Sequence, residues 1–148
     1  MPPPRLDDPI ATLRRLFAEA APAHVVAAYA FGSHAAGRAH AESDVDVGVV
    51  LRHGDLPEAH ARFETGVRLA SWLIAALRHP LVDLVVLNDV PPGLAAHVVT
   101  RGTPIHVADA ALEHAFRRDA QLRAADLAPF LRRARALKLE ALARDRAR

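Results

Sequence analysis

Gly32 and Ser33 are followed, after ten intervening residues, by Asp44-Val45-Asp46. These residue types at this spacing suit the handling of a nucleoside triphosphate over metal-binding carboxylates. On a strand, residues two apart project from the same face, so the oxygens of Asp44 and Asp46 can converge on shared cations. Two like charges that close need compensation. Mg²⁺ supplies it, because this hard cation prefers oxygen ligands, retains several waters and bridges carboxylates to substrate phosphates. Gly32 lets the backbone approach a phosphate without a Cβ in the way, and Ser33 adds a hydroxyl donor beside it. Gly37 gives the intervening loop a second unrestricted point, and Arg38 either reaches a phosphate oxygen or stands on the solvated surface. A third carboxylate, Asp83, lies within Leu81-Val82-Asp83-Leu84-Val85-Val86-Leu87, where apolar neighbours on both strand faces predict burial. A lone buried Asp is costly. Membership of the metal site would offset that cost and leave Asp83 placed as general base on an acceptor hydroxyl; the competing role is an ion pair with a nearby arginine.

These residues need a scaffold that brings two strand ends together. Asp7 or Asp8 can cap a helix carrying Ile10, Leu13, Leu16, Phe17 and Ala20 at helical spacing, closed by Pro22. Val25 to Phe31 reads as a strand that ends at Gly32-Ser33, and Asp44 to Leu51 as a second strand rich in valine. From Asp55 to Arg78 the pattern predicts a largely buried helix, with Phe63, Val67, Ala70, Ile74 and Leu77 on one stripe and Leu69, Trp72, Leu73 and Ala76 beside it. Phe63 and Trp72 read as core. Leu81 to Asn88 is expected to form a third strand, Pro91 to Arg101 a helix stopped by Gly102, and Thr103 to Val107 a fourth, edge strand. A helical pattern runs from Asp109 onward, with Leu127, Phe130, Leu131, Ala134, Leu137 and Ala141 on one face.

The chain has 148 residues, the size of one domain with a single core. No uninterrupted apolar run approaches the roughly 18 to 20 residues needed to cross a bilayer, and Met1-Pro2-Pro3-Pro4-Arg5 lacks a signal-like apolar stretch, so a cytoplasmic protein with no membrane partner is expected. Cysteine is absent, which excludes disulfides and thiolate metal sites. The nine histidines show no zinc-ligand spacing; only His34, next to Ser33, stands where it could touch a nucleotide. Residues 117 to 148 carry ten basic and four acidic groups, so this tail is +6 and the remainder −4 within a net charge of +2. Such a tail is either a solvated face or a binding surface for an acidic partner.

Gly32-Ser33-His34-Ala35-Ala36-Gly37-Arg38, followed by Ser43-Asp44-Val45-Asp46-Val47-Gly48-Val49-Val50, resembles the minimal nucleotidyltransferases (MNT) of the DNA-polymerase-beta-like superfamily, which often occur as antitoxins of HEPN-MNT toxin-antitoxin pairs. The resemblance covers roughly residues 10 to 110. It implies an α/β fold of the α+β type, a palm-like mixed sheet flanked by helices, with a nucleotidyltransferase core over 1–110 and a basic helical extension of the same domain over 111–148. It further implies that Gly32 and Ser33 bind the triphosphate of ATP, that Asp44 and Asp46 hold two Mg²⁺ ions, and that Asp83 completes the catalytic acids. Family members commonly carry an arginine near Ala36, and this chain has none there. The implied activity is transfer of AMP from ATP to a tyrosine hydroxyl of a HEPN ribonuclease toxin, with no nucleic acid required. A second reading is an antitoxin that neutralises its toxin by binding through the basic tail; a third is nucleotidyl transfer to RNA or a small molecule, which the short chain disfavours. The acceptor site is expected to be completed by another protein chain, in a homo-oligomer or a hetero-oligomer with the toxin.

Overall fold

The computed structural model describes residues 8–32 and 44–147, and Pro2 to Pro4 lie outside the described residues. The elements follow the expected order: α1 (Pro9–Ala20), β1 (Val25–Phe31), β2 (Val45–Leu51), α2 (Ala59–Leu77), β3 (Val82–Val86), α3 (Pro92–Arg101), β4 (Thr103–Val107) and α4 (Ala110–Arg146). Asp8 caps α1 as expected, accepting a hydrogen bond from the Ala11 N–H at 3.0 Å with Pro9 in the first turn, and Asp109 likewise caps α4, accepting from Leu112 at 3.0 Å.

The strands form one mixed sheet in the order β3-β2-β1-β4, with β1 antiparallel to β2 and β4, and β2 parallel to β3. Helices cover both faces. On one, Leu13 and Phe17 of α1 and Leu69, Leu73 and Leu77 of α2 pack against Val45, Val47 and Val49. On the other, Val98 and Val99 of α3 meet Val26, Tyr29 and Val50, with Phe116 of α4 beside them. Cover on both faces explains why β1 and β2 are near-continuous apolar runs rather than alternating ones. Gly48 allows the close approach of α3: a Cβ there would lie 3.1 Å from Leu87 and Val98.

Polar ties fix the helices to this sheet. Arg62 donates to both carboxylate oxygens of Asp89, at 2.9 and 2.7 Å, and to the carbonyls of Leu56 and Pro57, so one buried guanidinium joins α2, the loop before it and the turn after β3. The Asn88 side chain pairs with both backbone groups of Leu51 at 2.9 Å, prolonging the ladder beyond β3. At the root of α4, the buried Tyr29 hydroxyl donates to Glu113, which also accepts from Arg117.

Helix α2 departs from the expected cover. Its buried positions are Arg62, Thr65, Gly66, Leu69, Leu73 and Leu77, while Phe63 and Val67 are 66% and 50% exposed. Phe63 is therefore not core, whereas Trp72 is, stacked edge-on against Phe17 with ring centroids 5.2 Å apart. The physical reason is that β3 is the edge strand. The sheet ends beneath α2, so only one of its two apolar stripes finds cover.

Candidate active site

Strand polarity places the acidic residues and Gly32 at the same end of the sheet. Strand β1 runs toward Gly32, β2 starts after Asp44, and β3, parallel to β2, starts at Val82. Asp46 is the cross-strand partner of Phe31 on one side and of Asp83 on the other. Adjacent strands lie about 4.8 Å apart, so the register sets Asp46 and Asp83 on neighbouring strands with their side chains on the same face. Both share the face of Gly48 and Val85, where α3 packs further along, and Asp44 stands two residues upstream of Asp46 at the strand mouth.

Gly32 has a φ of +75°, in the left-handed region that a side chain disfavours. A Cβ on it would overlap the Oδ2 of Asp46 and lie 3.3 Å from its Cγ. The glycine is therefore required twice, once by backbone conformation and once by the carboxylate against it. The result is a close approach of the Asp46 carboxylate to the backbone at the end of β1.

Asp44 is exposed, Asp46 is half-buried, and Asp83 is exposed. The last corrects the expected burial of Asp83. With β3 at the edge, Asp83 stays open to solvent, whereas Val82, Leu84 and Val86 pack on the α2 side and Val85 and Leu87 pack further along the strand on the α3 side. Ser33, His34, Gly37 and Arg38 lie outside the described residues. Among the described residues no group of three or more acidic or imidazole side chains is already drawn together as a metal cage. Nevertheless the donor set is all carboxylate oxygen, which suits a hard cation that keeps part of its water shell.

Sequence reasoning missed one neighbouring feature. A groove of about 490 Å³ opens one residue beyond Asp83, lined by Leu84, Val85 and Val86 of β3 and by Phe63, Val67 and Ala70 of α2. The signal was present in the double apolar stripe of α2, since a helix at a sheet edge cannot bury both.

A family model described as Polymerase beta, Nucleotidyltransferase matches residues 13–111. No curated protein matches the chain. Among solved structures, a toxin-antitoxin crystallised with AMP-PNP holds a chain that is 25% identical, with a TM-score of 0.59 over 90% of this chain and 98% of that one. A mutant of the toxin-antitoxin MntA-HpeT gives 26% identity and a TM-score of 0.57 over 89% of this chain and 95% of that one. A structure from Shewanella oneidensis, 20% identical over 93% of this chain and 98% of that one, shares the fold with a TM-score of 0.56.

Proposed function

The chain belongs to the polymerase beta nucleotidyltransferase family, and on that premise we propose that it is a cytoplasmic, Mg²⁺-dependent antitoxin that transfers AMP from ATP to a tyrosine hydroxyl of a HEPN toxin. The observation that carries the reading is the strand register that sets Asp46 beside Asp83, with Gly32 held against the Asp46 carboxylate. Support for the nucleotide comes from the AMP-PNP in the similar toxin-antitoxin structure, and support for the partner from the toxin-antitoxin assemblies of that structure and of MntA-HpeT.

In this reading Asp44 and Asp46 hold two Mg²⁺ ions, with Asp83 as the third ligand. The ions would neutralise charge on the triphosphate and on the phosphoryl group in transit. Gly32 and Ser33 cradle the phosphates, with Arg38 at the same loop. The acceptor oxygen attacks the α-phosphorus of ATP, the bond to the bridging oxygen breaks, and pyrophosphate leaves; the hydroxyl proton passes to Asp83. An exposed Asp83 suits this role better than a buried one, because the hydroxyl arrives from another protein and must reach the base from outside. With the nucleotide bound by this chain, the partner has only to present its hydroxyl in line, and positioning supplies much of the rate.

The deciding experiment incubates the protein with a candidate HEPN partner, Mg²⁺ and ATP and weighs both chains intact. A gain of one or more AMP units on the partner, lost with Asp44→Asn, supports the proposal. An unmodified partner in a stable complex overturns transfer and leaves neutralisation by binding, a reading favoured by the exposed apolar and basic surface of α4.

A further inference from the structure

Helix α4 is 37 residues long, and only its first part is packed on the body of the protein. Phe116 and Ala120 meet α3, and Gln121 donates to Thr100 at 3.2 Å. Beyond that the helix leaves the body: every residue from Pro129 to Ala147 is exposed. The projecting part spans about 27 Å at 1.5 Å per residue. Its surface is not that of a solvated arm. Leu127, Phe130, Leu131, Ala134, Leu137 and Ala141 recur at spacings of three and four and form one stripe, in which Phe130 and Leu137 are 60% and 66% exposed. Lys138 falls within this stripe, between Ala134 and Leu131, and adds a cation to it. An exposed apolar stripe on a helix stretch with no packing of its own marks an interaction surface.

The charges say what covers it. Residues 129 to 147 carry six basic side chains against Glu140 and Asp145, a net +4. At 3.6 residues per turn, Arg133 and Arg144 fall along one border of the stripe and Arg135 and Arg146 along the other. In paired helices these flanking positions choose the partner through their charge. A second copy of α4 would set arginine against arginine. A nucleic acid backbone would satisfy the arginines but leave the leucines and Phe130 in water.

We infer that the projecting part of α4 docks on an amphipathic helix of the partner protein whose apolar stripe is bordered by Asp and Glu. This deepens the proposed function, on whose protein partner it rests. The Tyr29, Glu113 and Arg117 bonds at the root of α4 reach β1, the strand that ends at Gly32, so the docking arm and the site are tied to one rigid strand.

The test uses the full chain and a synthetic helical peptide of about three heptads, with Leu and Ala in the seam and Glu at the flanks. Binding is followed by fluorescence anisotropy, beside a peptide of the same composition in scrambled order and a short DNA duplex. The heptad peptide should bind the wild type and Asp44→Asn equally, which separates docking from transfer. Binding should weaken at least tenfold with Arg133→Glu/Arg135→Glu, and as much with Leu131→Ser/Leu137→Ser. Both variants change only exposed positions, and their circular dichroism should match the wild type. Absence of binding, equal binding of the scrambled peptide, or tighter binding of the duplex overturns the inference. So does a dimer of the chain alone that Leu131→Ser/Leu137→Ser dissolves.

Discussion

Replacing Gly32 with alanine tests whether the close approach of backbone and carboxylate matters for chemistry or only for folding. Holding an alanine at a φ of +75° costs about 1 to 2 kcal/mol. At about 2 to 4 °C per kcal/mol for a chain of this size, the melting temperature should fall by roughly 2 to 8 °C. The new methyl also occupies the place of the Asp46 Oδ2, so the carboxylate must rotate away. A misplacement of about 1 Å costs on the order of 100-fold in rate, equivalent to about 2.7 kcal/mol of barrier. The assay is the initial rate of AMP transfer to the partner, measured well below the melting temperature of each protein. Gly48→Ala is the control. The atoms nearest its methyl belong to Leu87 and Val98, away from the carboxylates, so it should cost about 1 to 3 kcal/mol of stability through overpacking and leave the rate within a few-fold of wild type. Because the Gly32 effect acts through Asp46, adding Gly32→Ala to Asp46→Asn should lower the residual rate no further. Full activity in a folded Gly32→Ala protein would refute the reasoning, as would an additive loss in the double variant.

Asp44→Asn and Asp83→Asn should each raise the barrier by several kcal/mol without lowering the melting temperature, since both residues are exposed; a labelled-ATP transfer assay with a thermal melt checks this. Arg62→Ala should destabilise by about 1 to 3 kcal/mol in urea, because it removes the hydrogen bonds to the solvent-exposed Asp89 and leaves the carbonyls of Leu56 and Pro57 without that donor. The Arg62 hydrogen bonds hold the Asp89 carboxyl below its usual range, so this pair contributes stability above about pH 4 that is lost as the pH falls through the lowered value; the acid limb of the stability profile should flatten in Arg62→Ala. Burial and the Glu113 carboxylate push the Tyr29 hydroxyl up, so its contribution is whole below about pH 10 and declines as the pH rises toward the elevated value. Tyr29→Phe should cost about 1 to 2 kcal/mol at neutral pH and remove that alkaline decline in a series of melts from pH 8 to about 11.

The order of elements could be read because each has a strong local signal: an apolar run for β1 and a valine-rich one for β2, proline at the start of α3, Gly102 at its end. The placement of Asp44 and Asp46 at one strand mouth could be read for a related reason, since Asp44 stands just before β2, two residues upstream of Asp46. Asp83 could be assigned to a strand but not to an environment. Its exposure depends on β3 being the edge, which is a property of strand order and leaves no trace in Leu81 to Leu87. The pairing of Tyr29 with Glu113 joins residues 84 apart in sequence and likewise has no local signature.

Helix α2 shows how an apolar helix chooses its buried face. Periodicity gives two adjoining stripes, and by hydrophobicity alone Phe63 and Val67 should win one of them. The buried face instead holds Gly66, where a Cβ would lie 2.8 Å from a Val86 methyl, and Arg62, which reaches Asp89. Close contact with β3 selects the smallest side chain, and the ion pair fixes the rotation of the helix about its axis. Hydrophobicity set how much of α2 wants cover, but Gly66 and Arg62 set which part receives it. The remainder lines an open groove that begins one residue from Asp83. Filling that space from within, with Gly66→Leu, should therefore turn α2 off β3 and cost several kcal/mol of stability, whereas Phe63→Ser on the exposed stripe should leave the urea midpoint nearly unchanged. Equal losses from the two variants would show that the exposed stripe, too, holds the fold.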